Sequence, residues 1–385
     1  MTDAIKDSMV AGAYMPSVLK TVEYGVGSLS KLPLVLDNLT CSRPFLVTGD
    51  SIKTKTPIID DICKILAESE REFTLTNVYS SIKQHAPIAE IQHALYLFEE
   101  AAADCIIAVG GGSPIDSAKI LTHRYYETSG IRIPVIAIPT TLSVAETTPS
   151  AGYTNEEGDK IALLDPYIAP RVIIYDASLL KYTPSRLLLS SGLRAVDHAF
   201  ETLYHETVGE VPYKPLALSA LADLFKYLPV YKADTSNLKV AQMLQTAAFQ
   251  SLFPRFTLTT GLGLSHSLGH ALGAKYSIPH GITSCITLAS VLHYKAENNE
   301  EAAFQLERAL PVLEIAKDPN STSKQNAHKV ADALDELVKS LGLATKISDY
   351  NVPADDADSI ALHALGGKQD SPLLEDAIKL VKSMY

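Results

Sequence analysis

The run Ala108-Val109-Gly110-Gly111-Gly112-Ser113-Pro114-Ile115-Asp116-Ser117-Ala118-Lys119 constrains this chain more than any other stretch. An apolar strand, Cys105–Val109, leads straight into three glycines and then into a helix. Glycine lets a backbone turn tightly and approach an anion with no Cβ in the way. Ser113 reads as the helix N-cap, Pro114 suits the first helical position, and Asp116 completes a capping-box-like spacing. The N–H groups at such a helix start suit a pyrophosphate. A plain glycine-rich turn is the other reading, but strand, glycines and capped helix in that order favour the phosphate. The spacing is not GxGxxG, so an ordinary dinucleotide fingerprint is not claimed.

Around this loop the first half of the chain alternates. Strand-like runs at Pro44–Thr48, Phe73–Tyr79, Cys105–Val109, Ile133–Ile138 and Val172–Tyr175 are separated by helix-like stretches such as Lys53–Ala67, Ala89–Ala101 and Ile115–Tyr125. That order predicts a parallel, Rossmann-like sheet with helices on both faces and ligands beyond the strands' carboxyl ends. After Asp176 the pattern turns helical: Pro184–His205, Tyr213–Leu228, Leu238–Leu252, Leu262–Ala274, Ile286–Ala296, Asn326–Leu341 and Leu373–Ser383. The expected architecture is an α/β nucleotide-binding domain over 1–180 and an all-α domain over 181–385, with a ligand cleft between them.

Composition narrows the partners. A net charge of −11 disfavours nucleic acid and anionic membranes. The cysteines Cys41, Cys63, Cys105 and Cys285 are scattered, which reads as reduced thiols in a cytoplasmic protein. No apolar run reaches membrane length. Lys6 lies between Asp3 and Asp7, and the glycine-broken run Met9–Met15 is short, so no secretory leader is expected.

Two further features carry chemistry. Thr140 and Thr141 follow a strand in Ile138-Pro139-Thr140-Thr141; their hydroxyls either reach the same cofactor or cap the turn. In the second half His266 and His270 stand four apart on one helix face, His280 follows in the turn-like Ser277–Gly281, and His198 lies upstream with Arg194 one helical turn before it. Histidines so spaced suit metal binding or acid–base work, against the bland reading of core or capping histidines. Asp50, just after the strand ending at Thr48, is placed to bind ribose hydroxyls, and Lys53 to meet a 2′-phosphate, so NADH and NADPH both stay open.

Gly110–Lys119 resembles the GGGSxxDxxK loop of the iron-containing alcohol dehydrogenases, and Pro139–Thr141 is similar to their Pro-Thr-Thr loop. The stretch Pro139–Pro149, with Glu146, Thr148 and Pro149, looks more like the maleylacetate reductases of that superfamily. Likeness continues through Gly158-Asp159-Lys160, Asp165-Pro166, Ile174–Asp176, Ser191–Leu193 and His280-Gly281, beginning at Tyr24–Gly27. The resemblance implies NAD(P)H held by Gly111, Gly112, Ser113, Asp116, Thr140, Thr141 and Lys160, and a homodimer.

In metal-dependent members an aspartate and three histidines hold the ion. The histidines match His198, His266 and His280, but the aspartate position is Arg194. A guanidinium has no acceptor and repels a dication. Asp197 is offset by roughly 60° around the helix and does not replace the lost ligand. No metal is therefore expected. Arg194 would instead bind a carbonyl, enolate or carboxylate, unless it forms a structural ion pair, for instance with Glu201. His270 matches the histidine that the family places near substrate, which makes it the first choice of general acid, with His198, His266 and His280 as further donors. The reading is a metal-independent NAD(P)H-dependent reductase of a small carbonyl or unsaturated acidic compound. The alternative is a non-redox acid–base enzyme (cyclase, isomerase or lyase) on the same fold.

Overall fold

The computed structural model describes residues 14–254 and 261–385. The stretch Asp3–Asp7 and most of Met9–Met15 lie outside the described residues.

Six strands form one parallel sheet: β1 (Thr21–Tyr24), β2 (Pro44–Val47), β3 (Asn77–Tyr79), β4 (Cys105–Gly110), β5 (Val135–Pro139) and β8 (Val172–Tyr175). Their spatial order is β1-β8-β5-β4-β2-β3. Every residue of β2, β4, β5 and β8 is buried, as a parallel sheet covered on both faces demands. Alternate residues serve opposite faces: Ile106 and Ala108 pack into one apolar cluster, Cys105, Ile107 and Val109 into another. A separate antiparallel hairpin pairs β6 (Ser150–Thr154) with β7 (Lys160–Leu164).

The remainder is helical. The helix Ser185–Tyr204 runs through its middle, with every residue from Leu188 to Tyr204 buried, as expected of a helix surrounded by others. The helices Leu264–Tyr276, hereafter the histidine helix, and His280–Asn298 pack nearby. The predicted fold class, a parallel α/β unit followed by an all-helical unit, is the observed one.

Several local expectations need correction. The helix expected over Lys53–Ala67 is two, Asp50–Lys55 and Ile58–Ala67, because Pro57 pushes Thr56 into extended backbone. His280 is not in the turn: Pro279 precedes the helix and His280 opens it. The strand Thr21–Tyr24, both hairpin strands, and the short helices Glu300–Glu307 and Ala357–Ala364 were not anticipated.

Candidate active site

The glycine loop forms at the carboxyl end of β4. Gly110 takes φ +137°, a conformation that side chains rarely adopt. A Cβ on Gly111 would meet Thr141 Cγ2 at 3.2 Å and Oγ1 at 3.3 Å, so the glycine is what lets the two loops close on each other. The cap differs from expectation: Gly111 is the N-cap, with no side-chain cap bond, and the helix starts at Gly112. Ser113 Oγ accepts instead from the His85 backbone N–H at 3.2 Å. Asp116 caps nothing; its Oδ2 accepts from the Gly152 N–H of the hairpin at 3.2 Å. The helix start thus keeps backbone donors free of side-chain capping, beside a cradle that a Cβ would fill, and this fits a nucleotide phosphate.

Thr140 and Thr141 are both buried. The Thr141 hydroxyl donates to Ser143 Oγ at 3.1 Å, and the Thr140 carbonyl accepts from Thr183 Oγ1 at 2.7 Å. Leu142 N–H donates to Ser191 Oγ at 3.0 Å, which ties this loop to the helix that carries Arg194 and His198. Asp50 is exposed and opens its helix just beyond β2.

The hairpin is anchored from beneath by Lys119. Its Nζ, fully buried, donates to Ala145 O, to Thr148 Oγ1 at 3.1 Å and to Ser150 O at 2.8 Å. Nearby Glu146 accepts from the Tyr175 hydroxyl at 2.6 Å, and burial raises its carboxyl above the usual range. So supported, the hairpin carries Lys160 to the histidines of the helical half. Lys160 Nζ lies 3.0 Å from His85 Nδ1 and 3.2 Å from His280 Nε2. Burial, then the charge of Arg194, pushes the lysine down to about 8.

The five residues singled out in the helical half do come together. Ring centroids are 5.5 Å apart for His198 and His266, 4.7 Å for His266 and His270, and 5.2 Å for His270 and His280. The helices hold this spacing by backbone contact: a Cβ on Gly281 would meet the Ser190 carbonyl at 2.5 Å. Burial first, and Arg194 next among the charges, lowers His198, His266 and His280 well below the ordinary imidazole value. The His270 side chain is exposed, yet partial desolvation, then Arg194 and Lys160, lower it too. All four are neutral at neutral pH. The Nδ1 atoms of His198, His266 and His280 are buried with no hydrogen-bond partner.

Arg194 is not the open anion clamp expected from sequence. It is 5% exposed, and its guanidinium is already engaged. Nη1 donates to Asp197 Oδ2 at 3.2 Å and to Ser284 Oγ at 3.0 Å, and Nη2 lies 3.0 Å from His266 Nε2. Its ion-pair partner is Asp197, not Glu201. Ser284 and Ser265 also donate to Asp197 Oδ2, at 2.6 and 3.1 Å. Glu201 accepts from the N–H groups of Gly263 and His266 at 2.8 and 3.2 Å.

Iron or zinc does not fit this donor set. Arg194 takes the His266 lone pair that an ion would need, and the carboxylate beside it is committed to the arginine and two serines. His85 is a site residue that the sequence does not single out. It takes φ +69° and links the glycine loop, the hairpin and His280. No local signal marks it, since its partners are 28 and 75 residues away.

Residues 20–177 match the model described as iron-containing alcohol dehydrogenase, and 188–380 the model for the family's C-terminal part. The chain belongs to the iron-containing alcohol dehydrogenase family. It is thus a member of a family of oxidoreductases. The maleylacetate reductase of Sphingobium indicum is 30% identical over 300 residues, 77% of each chain. Maleylacetate reductase 1 of Cupriavidus pinatubonensis is 27% identical over 365 residues, 93% of this chain and 92% of its own. Among solved structures, maleylacetate reductase from Agrobacterium tumefaciens superposes with a TM-score of 0.80 at 24% identity, covering 98% of this chain and 99% of its own, which speaks to the fold. No described helix is long and apolar enough to cross a membrane.

Proposed function

We propose that this family member is an NAD(P)H-dependent reductase of a small carbonyl or unsaturated compound bearing an acidic group, akin to maleylacetate, and that it works without a bound metal. The observation that carries the reading is Lys160, which joins the two halves of the site. It touches His280 at 3.2 Å and His85 at 3.0 Å, and His85 in turn donates to Ser113 of the glycine loop.

A reduced nicotinamide, when bound, supplies hydride. Gly111, Gly112 and Ser113 hold its phosphates at the helix start, Thr140 and Thr141 wall the loop, Asp116 braces the hairpin, and Asp50 meets the ribose. Lys160 binds the substrate's anionic group, and the buried charge of Arg194 adds to its field. Arg194 therefore acts as a positioning residue for His266 rather than as the primary anion ligand. His270, exposed and beside His266 and His280, passes a proton from a ring nitrogen to the developing oxyanion or carbanion. It is neutral in the free protein, so the bound anion must first raise its affinity for a proton. The enzyme is read as a cytoplasmic homodimer.

Fluorescence titration of chelator-treated protein with NADPH and, separately, NADH tests the reading. Micromolar binding of either, followed by turnover of a keto or enoic acid but not of its ester, supports it. No binding of either sinks it. The second reading, a non-redox acid–base enzyme, draws on the neutral histidines and the guanidinium in the metal's place. It predicts product formation without NAD(P)H consumption.

A further inference from the structure

About 20 Å along the helix from His280, and so well away from the cleft, stands a second histidine pair. His293 belongs to the helix His280–Asn298 and His328 to the neighbouring helix Ser323–Ser340. Their Nδ1 atoms face each other at 2.8 Å. Their other ring nitrogens face carboxylates on the opposite helix: His293 Nε2 lies 3.5 Å from Asp332 Oδ1, and His328 Nε2 lies 3.4 Å from Glu297 Oε2. The result is a chain of carboxylate, imidazole, imidazole, carboxylate crossing between two helices.

This chain has room for one positive charge at its centre. Two neutral imidazoles carry one N–H apiece, enough for the ring-to-ring contact and the His328–Glu297 contact, which leaves His293 Nε2 bare beside Asp332. If each Nε2–H points at its carboxylate, two Nδ1 lone pairs are left face to face. If either hydrogen turns inward, a bare ring nitrogen is left against a carboxylate. A cation between the rings lets both Nε2 hydrogens face their carboxylates and both Nδ1 lone pairs face the ion.

We propose that His293 and His328 bind one divalent transition-metal ion of the zinc class through their Nδ1 atoms, clamping the two helices. Zinc–nitrogen bonds are about 2.0–2.1 Å, so two imidazole nitrogens roughly 3 Å apart can share one ion after a small adjustment. Carboxylates on the distal ring nitrogens are the usual outer partners of metal-bound histidines, fixing the tautomer and raising ligand basicity. The side chains of His293 and His328 are 39% and 33% exposed, so an ion can enter and water can complete its coordination. Imidazole donors favour zinc, nickel, cobalt or copper over magnesium or calcium. Lys324 also pairs with Glu297, but at Oε1, leaving Oε2 to His328.

The test is calorimetric titration and thermal unfolding of the full chain, stripped with chelator and titrated with ZnCl2, comparing the natural sequence with His293→Ala/His328→Ala and with His328→Gln. Both variants should lose one equivalent of bound zinc and the rise in melting temperature that the metal brings. Glu297→Gln/Asp332→Asn should keep the site but weaken it about ten-fold. Because the cleft also holds histidines, stoichiometry decides: if both variants keep every zinc equivalent and the full thermal shift, the metal lies elsewhere and the proposal fails. It fails equally if the natural sequence binds no zinc below millimolar concentration, since a proton then fills the gap.

Discussion

Arg194 Nη2 lies 3.0 Å from His266 Nε2, while Nη1 of the same guanidinium is held by Asp197 at 3.2 Å and Ser284 at 3.0 Å. The imidazole nitrogen that would face an ion therefore faces a fixed charge of the protein itself. Arg194 thus places its charge against His266 and its bulk between that ring and Asp197. It also supplies the positive charge that the buried Asp197 needs, since burial alone would push that carboxyl upward.

Replacing Arg194 with aspartate should create a metal site. Arg194→Asp places a hard anionic ligand among His198, His266 and His280, beside the buried Asp197. In chelator this variant should be less stable than the natural sequence by about 3–5 kcal/mol, the cost of breaking a buried pair. Fe2+ or Zn2+ should restore much of that, and bound metal should rise by one equivalent. Denaturation with and without the ion, with elemental analysis, checks it. Equal metal content in both proteins would show that the guanidinium is not what excludes the ion.

Gly111→Ala should separate binding from folding. Its Cβ would press on Thr141 at 3.2–3.3 Å, in the loop-to-loop contact where the phosphates are proposed to lie. Nucleotide affinity should fall at least about ten-fold, with a loss of stability near 1 kcal/mol. Fluorescence titration and a urea melt measure the two.

Lys160 sets a pH dependence. Its value is pushed down to about 8, by burial first and by Arg194 next, so it is charged below that pH and neutral above it. For an acidic substrate, kcat/KM should fall as pH rises through about 8. Lys160→Arg should move that limb upward. Lys160→Met should abolish it and lower kcat/KM about 100-fold. A limb unmoved by Lys160→Arg would assign the titration to another group.

Lys119 has a structural part. Lys119→Met removes the cation that holds Ala145, Thr148 and Ser150, leaving the Ser150 carbonyl without its 2.8 Å donor. The cost should be about 3 kcal/mol. Because the hairpin carries Lys160, protection from hydrogen exchange over 150–164 should fall before that of the sheet.

The central strands were legible because β2, β4, β5 and β8 are continuous apolar runs, which only a sheet covered on both faces requires. The hairpin was not: Ile161–Leu164 is as apolar as a core strand, yet it is largely exposed, which the residues alone do not reveal. Arg194, His198, His266, His270 and His280 could be singled out by helical spacing and by resemblance. Which carboxylate pairs with Arg194 could not. Asp197 and Glu201 lie on the same helix, and the choice depends on Ser265, Ser284 and the Gly263 and His266 N–H groups, all far along the chain. The N-cap was misplaced for a similar reason: the Ser113 hydroxyl is claimed by the His85 backbone.

The close approach of Gly281 to Ser190 separates the site's frame from its chemistry. Two helices that touch through their main chains keep their distance whatever side chains they display, so His198 on one and His280 on the other keep their places when a neighbour changes. Residues at the centre, Arg194 among them, can then be exchanged without moving the two helices. The scaffold stays fixed at a contact that tolerates only glycine.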